Sequence, residues 1–182
     1  MAITRLGPNN STNISGINLT SQVTGTLPTA NGGTGATSFA AGKVLQVVTG
    51  VTYTSTTSTS STYADTSLTA SITPSATSSK ILIMVNQFMR KNQTNTYIGY
   101  KLFRDSTQLD FIGDIIAYTQ NSDSDANGIG TTYLDTPSST SSITYKTQFA
   151  TLSGGTITIQ ADSASSTERG RGSMTLMEIA GW

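Results

Sequence analysis

Residues 80–90 read KILIMVNQFMR. Five apolar residues run without a break from Ile81 to Val85, and Phe88 and Met89 follow. The run is far too short to span a membrane, which takes about 20 apolar residues. A short, near-continuous apolar run describes a strand covered on both sides, so 80–90 is read as the central strand of a sheet. Working outward, TYIGYKLFRD (96–105) and TQLDFIGDIIAYT (107–119) form a hairpin around Asp105 and Ser106. TYADTSLTASITP (62–74) is a strand that Pro74 ends, and KVLQVVTGVTYTSTT (43–57) is a strand interrupted at Gly50. GTTYLDT (130–136) is a weaker strand. SITYKTQFATL (142–152) and TITIQAD (156–162) read as a second hairpin around Gly154 and Gly155, and SMTLMEIAG (173–181) closes the chain. Leu109, Ile112 and Ile116 fall near helical spacing, so 107–118 is the one place a helix could form.

Strands at this spacing, separated by Ser, Thr and Gly turns, predict an all-β, antiparallel, two-sheet β-sandwich of jelly-roll-like form over 44–182. Its expected core is Ile81, Ile83, Val85, Leu102, Phe111, Ile143, Phe149, Ile157, Ile159, Leu176 and Ile179. Composition agrees. Only 11% of the 182 residues are charged, against about 25% in an average domain, and Ser and Thr fill the gap. Ten basic and ten acidic residues cancel, leaving no surplus to neutralise a phosphate backbone, so nucleic acid is not an expected partner. The absence of Cys and His removes disulfides, the usual zinc sites and the commonest general base. No cofactor is expected. MAITRLGPNNST (1–12) has no apolar signal core, and no membrane insertion is expected; synthesis in a cytoplasm is expected.

Residues 1–43 differ from the rest. Ile14, Ile17, Leu19, Val23 and Leu27 are isolated among Ser, Thr, Asn and Gly. They fit no helix face and no strict alternation. Alone they cannot offset a backbone ordering cost of about 1–2 kcal/mol per residue. Wound with identical chains, they could meet on a common axis. LPTANGGTGATS (27–38) approaches G-x-G-x-x-G, but Ser38 stands at the third glycine position and no G-K-[ST] follows. A phosphate loop needs amides converging at a helix N-terminus, and that context is missing. Pro28, Gly32, Gly33 and Gly35 are read instead as a junction where a thin shaft opens into a head.

TGTLPTANGGTGATSFAAGKVLQVV (24–48) resembles the TGTLP-x-ANGGTG segment of bacteriophage tail-fibre and related virion fibre proteins. TSLTASITPSATSSKILIMV (66–85) and LMEIAG (176–181) resemble the C-terminal β knobs of the same family. The resemblance implies a homotrimer in the virion. Its N-terminal segment would dock on other virion proteins, and its knob would bind a glycan or protein of the host surface. A capsid-bound head fibre or decoration protein is the alternative, and a spike-type polysaccharide depolymerase is a second.

DSDANG (123–128) sets Asp123, Asp125 and Asn127 at the spacing of a calcium loop, but Leu134 stands where the bidentate glutamate belongs. The stretch reads as a turn. Asp110 and Asp114 are spaced to share a strand face as a carboxylate pair, although solvated strand faces explain them more simply, and no enzyme is expected. ERGRG (168–172), with Arg169 and Arg171, reads as an exposed loop. Tyr97, Tyr100 and Tyr145 are assigned to packing, whereas Tyr118 and Tyr133 are expected to be exposed beside a 119–132 loop. Tyr118, Asp123, Asp125, Asn127 and Tyr133 are therefore the receptor-loop candidates.

Overall fold

The computed structural model describes residues 44–118, 120, 124–160 and 170–181, with the backbone alone for 124–127. The shaft positions Ile14, Ile17, Leu19, Val23 and Leu27 and the junction positions Pro28, Gly32, Gly33 and Gly35 lie outside the described residues, as do Asp123, Glu168 and Arg169. Ten strands follow one another: β1 (Val44–Thr52), β2 (Thr56–Ser58), β3 (Ala64–Ile72), β4 (Lys80–Lys91), β5 (Ile98–Arg104), β6 (Thr107–Ile116), β7 (Ser124–Asp135), β8 (Ile143–Thr151), β9 (Ile157–Ile159) and β10 (Gly172–Ile179). There is no helix among the described residues, and 107–116 is strand. Packing decides that stretch: Leu109, Ile112 and Ile116 all lie against the core from an irregular strand.

All pairings are antiparallel, and they are nested. β1 pairs with β10, β2 with β9, β3 with β8, β4 with β7 and β5 with β6. The chain is thus one long double strand that doubles back at Asp105 and Ser106. Asp105 takes φ 50° there, a left-handed conformation that Asp tolerates. Its backbone nitrogen donates to the Thr144 carbonyl at 2.7 Å, and its Oδ1 accepts from the Thr144 nitrogen at 3.0 Å. Rolling the double strand adds three further pairings, β10 with β4, β4 with β9 and β5 with β8. The result is two sheets. One runs β1-β10-β4-β9-β2 with β7 on the free side of β4, and the other runs β3-β8-β5-β6. This nested order is that of a jelly roll.

β4 is central, as its sequence predicts. One edge meets β7; the other meets β10 at Lys80–Asn86 and β9 at Met89–Lys91. The core between the sheets contains Ile81, Ile83, Val85, Leu102, Ile143, Phe149, Ile157, Ile159 and Leu176, all buried as expected. Leu68, Ile72, Met89, Ile98, Tyr100, Tyr145 and Met174 join them. Two expectations are corrected. Phe111 is exposed, because bulges in the β5–β6 ladder upset the alternation of β6. Ile179 alternates out of the core and is only half-buried. The second hairpin is also corrected. β8 and β9 do not pair; β8 belongs to one sheet and β9 to the other. Gly154 and Gly155, at φ 84° and 78°, carry the chain across between them.

Buried polar groups tie the sheets together. Gln87 Oε1 on β4 accepts from the Tyr100 hydroxyl and, at 2.9 Å, from Thr147 Oγ1, which lies 2.5 Å from Thr66 Oγ1. Arg104 Nη1 reaches both oxygens of Asp135 at 2.9 Å, and the Tyr145 hydroxyl donates to Oδ2 at 2.7 Å. Burial, together with the neighbouring Asp135 charge, pushes the Tyr145 phenol well above its usual range. Glu178 on β10 is buried too. Ser75 N (2.7 Å), Ser75 Oγ (2.6 Å) and Ser79 Oγ (2.6 Å) donate to Oε1, and Gln46 Nε2 (2.5 Å) donates to Oε2. Burial raises this carboxyl, but those four donors outweigh it and lower it to about 2. The cluster clamps the start of β1 to β10 and to the 73–79 connection.

Two predictions follow from this packing. A Cβ at Gly50 would collide with the Thr69 carbonyl oxygen, which is backbone and cannot swing aside. Gly50→Ala should cost about 1–3 kcal/mol, seen as a fall of roughly 3–10 °C in Tm. A Tm within 1 °C of the parent would show that β1 and β3 do not approach closely. Glu178, held below its ordinary range, contributes stability above about pH 4.5 that is lost as pH falls toward about 2. Glu178→Gln should cost about 1–3 kcal/mol at pH 7 and flatten the acid limb of a urea-midpoint profile between pH 5 and 2. An unchanged slope would remove Glu178 from the linkage.

Candidate functional site

The two ends of the sandwich differ. Val44 lies opposite Ile179, which lies opposite Lys80. The chain therefore enters β1 at the end that carries the Glu178 clamp, the Asp105 turn and the Arg104–Asp135 pair. The connections 92–97 and 152–156 and the residues that leave β6 at 117–118 gather at the opposite end, because β4, β6 and β8 all run toward it.

Two of those connections are laced together. Asn92 and Thr156 exchange hydrogen bonds, backbone to backbone at 3.1 Å and Thr156 N to Asn92 Oδ1 at 2.8 Å. The Gly154 carbonyl accepts from Thr96 Oγ1 (2.9 Å) and Thr151 Oγ1 (2.5 Å). Ser153 Oγ donates to the Asn95 carbonyl, and Leu152 N to the Tyr97 carbonyl at 3.1 Å. Lys91, buried at the end of β4, extends Nζ to the Gln93 carbonyl at 3.1 Å. A Cβ at Gly155 would come within 2.8 Å of Gln93 Oε1 and Thr96 Oγ1, so only glycine fits there. Asn95 holds φ 57° and Ala117 φ 61°. At Ala117 the chain turns out of β6, leaving Tyr118 52% exposed. Its ring meets Tyr97 edge-on, centroids 6.0 Å apart at 66°, and its hydroxyl lies 3.4 Å from Asn95 Oδ1. Two rigid tyrosines, flanked by amide and hydroxyl groups on an ordered base, offer flat apolar area beside hydrogen-bonding partners. Such a surface suits a ring bearing hydroxyls.

Tyr118 is exposed as the sequence led us to expect. Tyr133 is corrected. It lies inside β7, opposite Ile83, and packs against the core. The expected 119–132 loop is largely strand, since β7 begins at Ser124. DSDANG is likewise no turn. Gln87 pairs with Ile129 and Met89 with Ala126, so Asn127 and Gly128 together face the single residue Phe88. That is a β-bulge, with Gly128 at φ 67° supplying the left-handed residue it needs. Asp125 lies opposite Arg90 in the ladder, and the side chains of Asp125 and Asn127 lie outside the described residues. Among the described residues no three acidic side chains converge to hold a metal.

Asp110 and Asp114 do not share a face. A bulge between Phe111 and Gly113 reverses the alternation. Asp110 turns toward β7, with Thr131 Oγ1 3.4 Å from its Oδ2. Asp114 sits near Tyr63, whose phenol is raised first by burial and then by that charge. Tyr63 and Phe111 meet edge-on at 6.3 Å, and Lys101 Nζ lies 4.0 Å from the Tyr63 centroid and 5.1 Å from that of Phe111, a cation–π contact. Arg171 is exposed as expected, just before β10.

Asn95, Tyr97 and the 152–155 turn were not among the sequence candidates. The polar stretch NQTNTY (92–97) was visible between two strands, but only the nested topology brings it to 152–156.

No known protein family matches the chain, and no curated protein matches it. Among solved structures it is similar to the VP2 protein of Infectious Bursal Disease Virus. A VP2 mutant in T=1 particles gives 12% identity and a TM-score of 0.43, over 75% of this chain and 36% of that one. A VP2 subviral particle gives 12% identity and a TM-score of 0.37, over 75% and 37%. The chain spans a little over a third of the length of those proteins.

The lacing makes a prediction. Gly155→Ala should cost about 1–2 kcal/mol from the left-handed backbone alone and speed amide exchange in both 92–97 and 152–156. Exchange accelerated at 152–156 alone would show that the two connections are independent.

Proposed function

We propose that this chain is a structural protein of a bacteriophage virion, a homotrimeric fibre whose N-terminal segment attaches to the particle and whose jelly-roll head binds the host surface. One observation carries this reading: the strand that continues from the N-terminal segment starts at one end of the sandwich, and the exposed Tyr118 and Asn95, with the half-buried Tyr97, sit at the other. The tyrosine end is thus the end of the sandwich remote from Val44, where the chain enters β1. The resemblance of residues 24–48 to a fibre segment supports the same polarity. Binding, not turnover, is the role. Three copies present three identical aromatic ends, so weak contacts with surface glycans gain by avidity.

The test is competition. The full chain, preincubated with host cells, should block adsorption of phage particles. Tyr118→Ala should need at least tenfold more protein for the same block while keeping the parent Tm. Antibodies against 44–182 should label the tips of fibres; label spread over the shell would place the protein on the capsid. Release of new reducing ends from host polysaccharide would replace the binding role with an enzymatic one.

A further inference from the structure

The outward faces of the two sheets are unlike. On the β3-β8-β5-β6 sheet the outward β3–β8 pairs are polar, while Phe111 and Ile115 of the edge strand β6 are exposed. Asp65 accepts from Lys146 Nζ at 2.9 Å and from Gln148 Nε2 at 2.8 Å, and Ser71 and Thr144 hydroxyls meet at 2.9 Å. Ser67, Thr69 and Ser71 are exposed. Burial raises the Asp65 carboxyl, but Gln148 and Lys146 overcome that and lower it. This is how a sheet faces water.

The other sheet breaks that rule. Its register sets Val47 opposite Met177, Met177 opposite Leu82 and Leu82 opposite Leu134, an apolar row across four strands on the outward side. The next row is Thr49, Thr175, Met84 and Thr132, and the next is Val51, Ser173, Asn86 and Gly130. Val47 is 53% exposed, Val51 47% and Leu134 46%, with Leu45 beside them at 46%. Along β4 only Lys80 and Arg90 carry outward charge, one at each end. Every outward residue between them on β1, β10, β4 and β7 is uncharged. Four strands about 4.8 Å apart, of 9, 8, 12 and 12 residues at about 3.3 Å per residue, give a face on the order of 600 Å². That is the low end of one partner's share of a standard interface.

We infer that the outward face of the β1-β10-β4-β7 sheet joins copies of this chain. The inference deepens the proposed trimeric fibre and rests on it. A second copy is the occupant the features favour. The face is large enough for a stable subunit contact. Its middle has no charge that a distinct, charged partner would match, whereas copies packed around an axis bring uncharged surface together. It also includes β1, the strand covalently continuous with the segment proposed to share an axis. Burying Val47, Leu82, Leu134 and Met177 removes apolar area from water at each contact, and the polar sheet is left outermost.

The experiment uses the full chain. Sedimentation equilibrium should show a trimer for the parent. Val47→Glu and Leu134→Glu sit at exposed positions, so each should keep the parent near-ultraviolet circular dichroism while weakening association at least 100-fold. Ser71→Glu, on the polar sheet, should assemble as the parent does. The chain has no cysteine, so Thr49→Cys and Thr132→Cys report on the face alone. Maleimide should label them at least tenfold more slowly in the assembled chain than Ser71→Cys. A trimer unaffected by both glutamates, with Thr49→Cys and Thr132→Cys labelled freely, would overturn the inference and leave the trimer standing. A parent chain monomeric at 100 µM would overturn both. If the glutamate variants fail to fold, the labelling rates decide alone.

Discussion

Nested pairing is the constraint on which this molecule depends. The strands find their partners in reverse order on the two sides of Asp105 and Ser106, so one turn sets the order of pairing along the whole chain. Asp105 is suited to the task, since it accepts a left-handed backbone and anchors to Thr144 through both its amide and its carboxylate. The hydrophobic effect then rolls the double strand, because each sheet has one apolar side that must be hidden. The polar bridges inside the roll, Gln87 with Tyr100 and Thr147, and Arg104 with Asp135 and Tyr145, join opposite sheets. They penalise any slip of one sheet over the other, since a slipped register would strand buried polar atoms.

The same topology separates the two ends. Connections that leave β4, β6 and β8 collect where their hydrogen bonds can be shared, which is why the 92–97 and 152–156 segments brace one another. The opposite end is occupied by structural ties, chief among them Glu178, whose four donors draw β1, β10 and the 73–79 connection together.

Much of the fold was legible in sequence. The apolar run at 81–85 identified the central strand, the Asp105–Ser106 turn was found, and nine of eleven core residues were placed correctly. The failures share a cause. Phe111 and the Asp110–Asp114 pair were read with a period of two, and bulges in β6 shift that period. DSDANG holds turn residues, yet Asn127 and Gly128 serve a bulge in the longest ladder. Gly154 and Gly155 look like a hairpin turn because a crossing between sheets needs the same backbone angles. The candidate site was half visible. Tyr118 stood out at a strand end, but nothing local joins it to Tyr97 and Asn95, which come from another connection. The reverse holds for Tyr133, whose place in the inner row depends on its partner Ile83.

The direction of β1 has a mechanical consequence. It lies antiparallel to β10 over most of its length, and the two ends that meet are Val44 and Ile179. Tension between the entry point and the distant tyrosines pulls β1 lengthwise along β10. Its ladder bonds are then loaded together in shear, whereas peeling would break them one at a time. Glu178 and Gln46 form the next pair after Val44 and Ile179, close to the end where the strain would concentrate. A sandwich loaded in this way resists tension far better than one whose edge strand is peeled away.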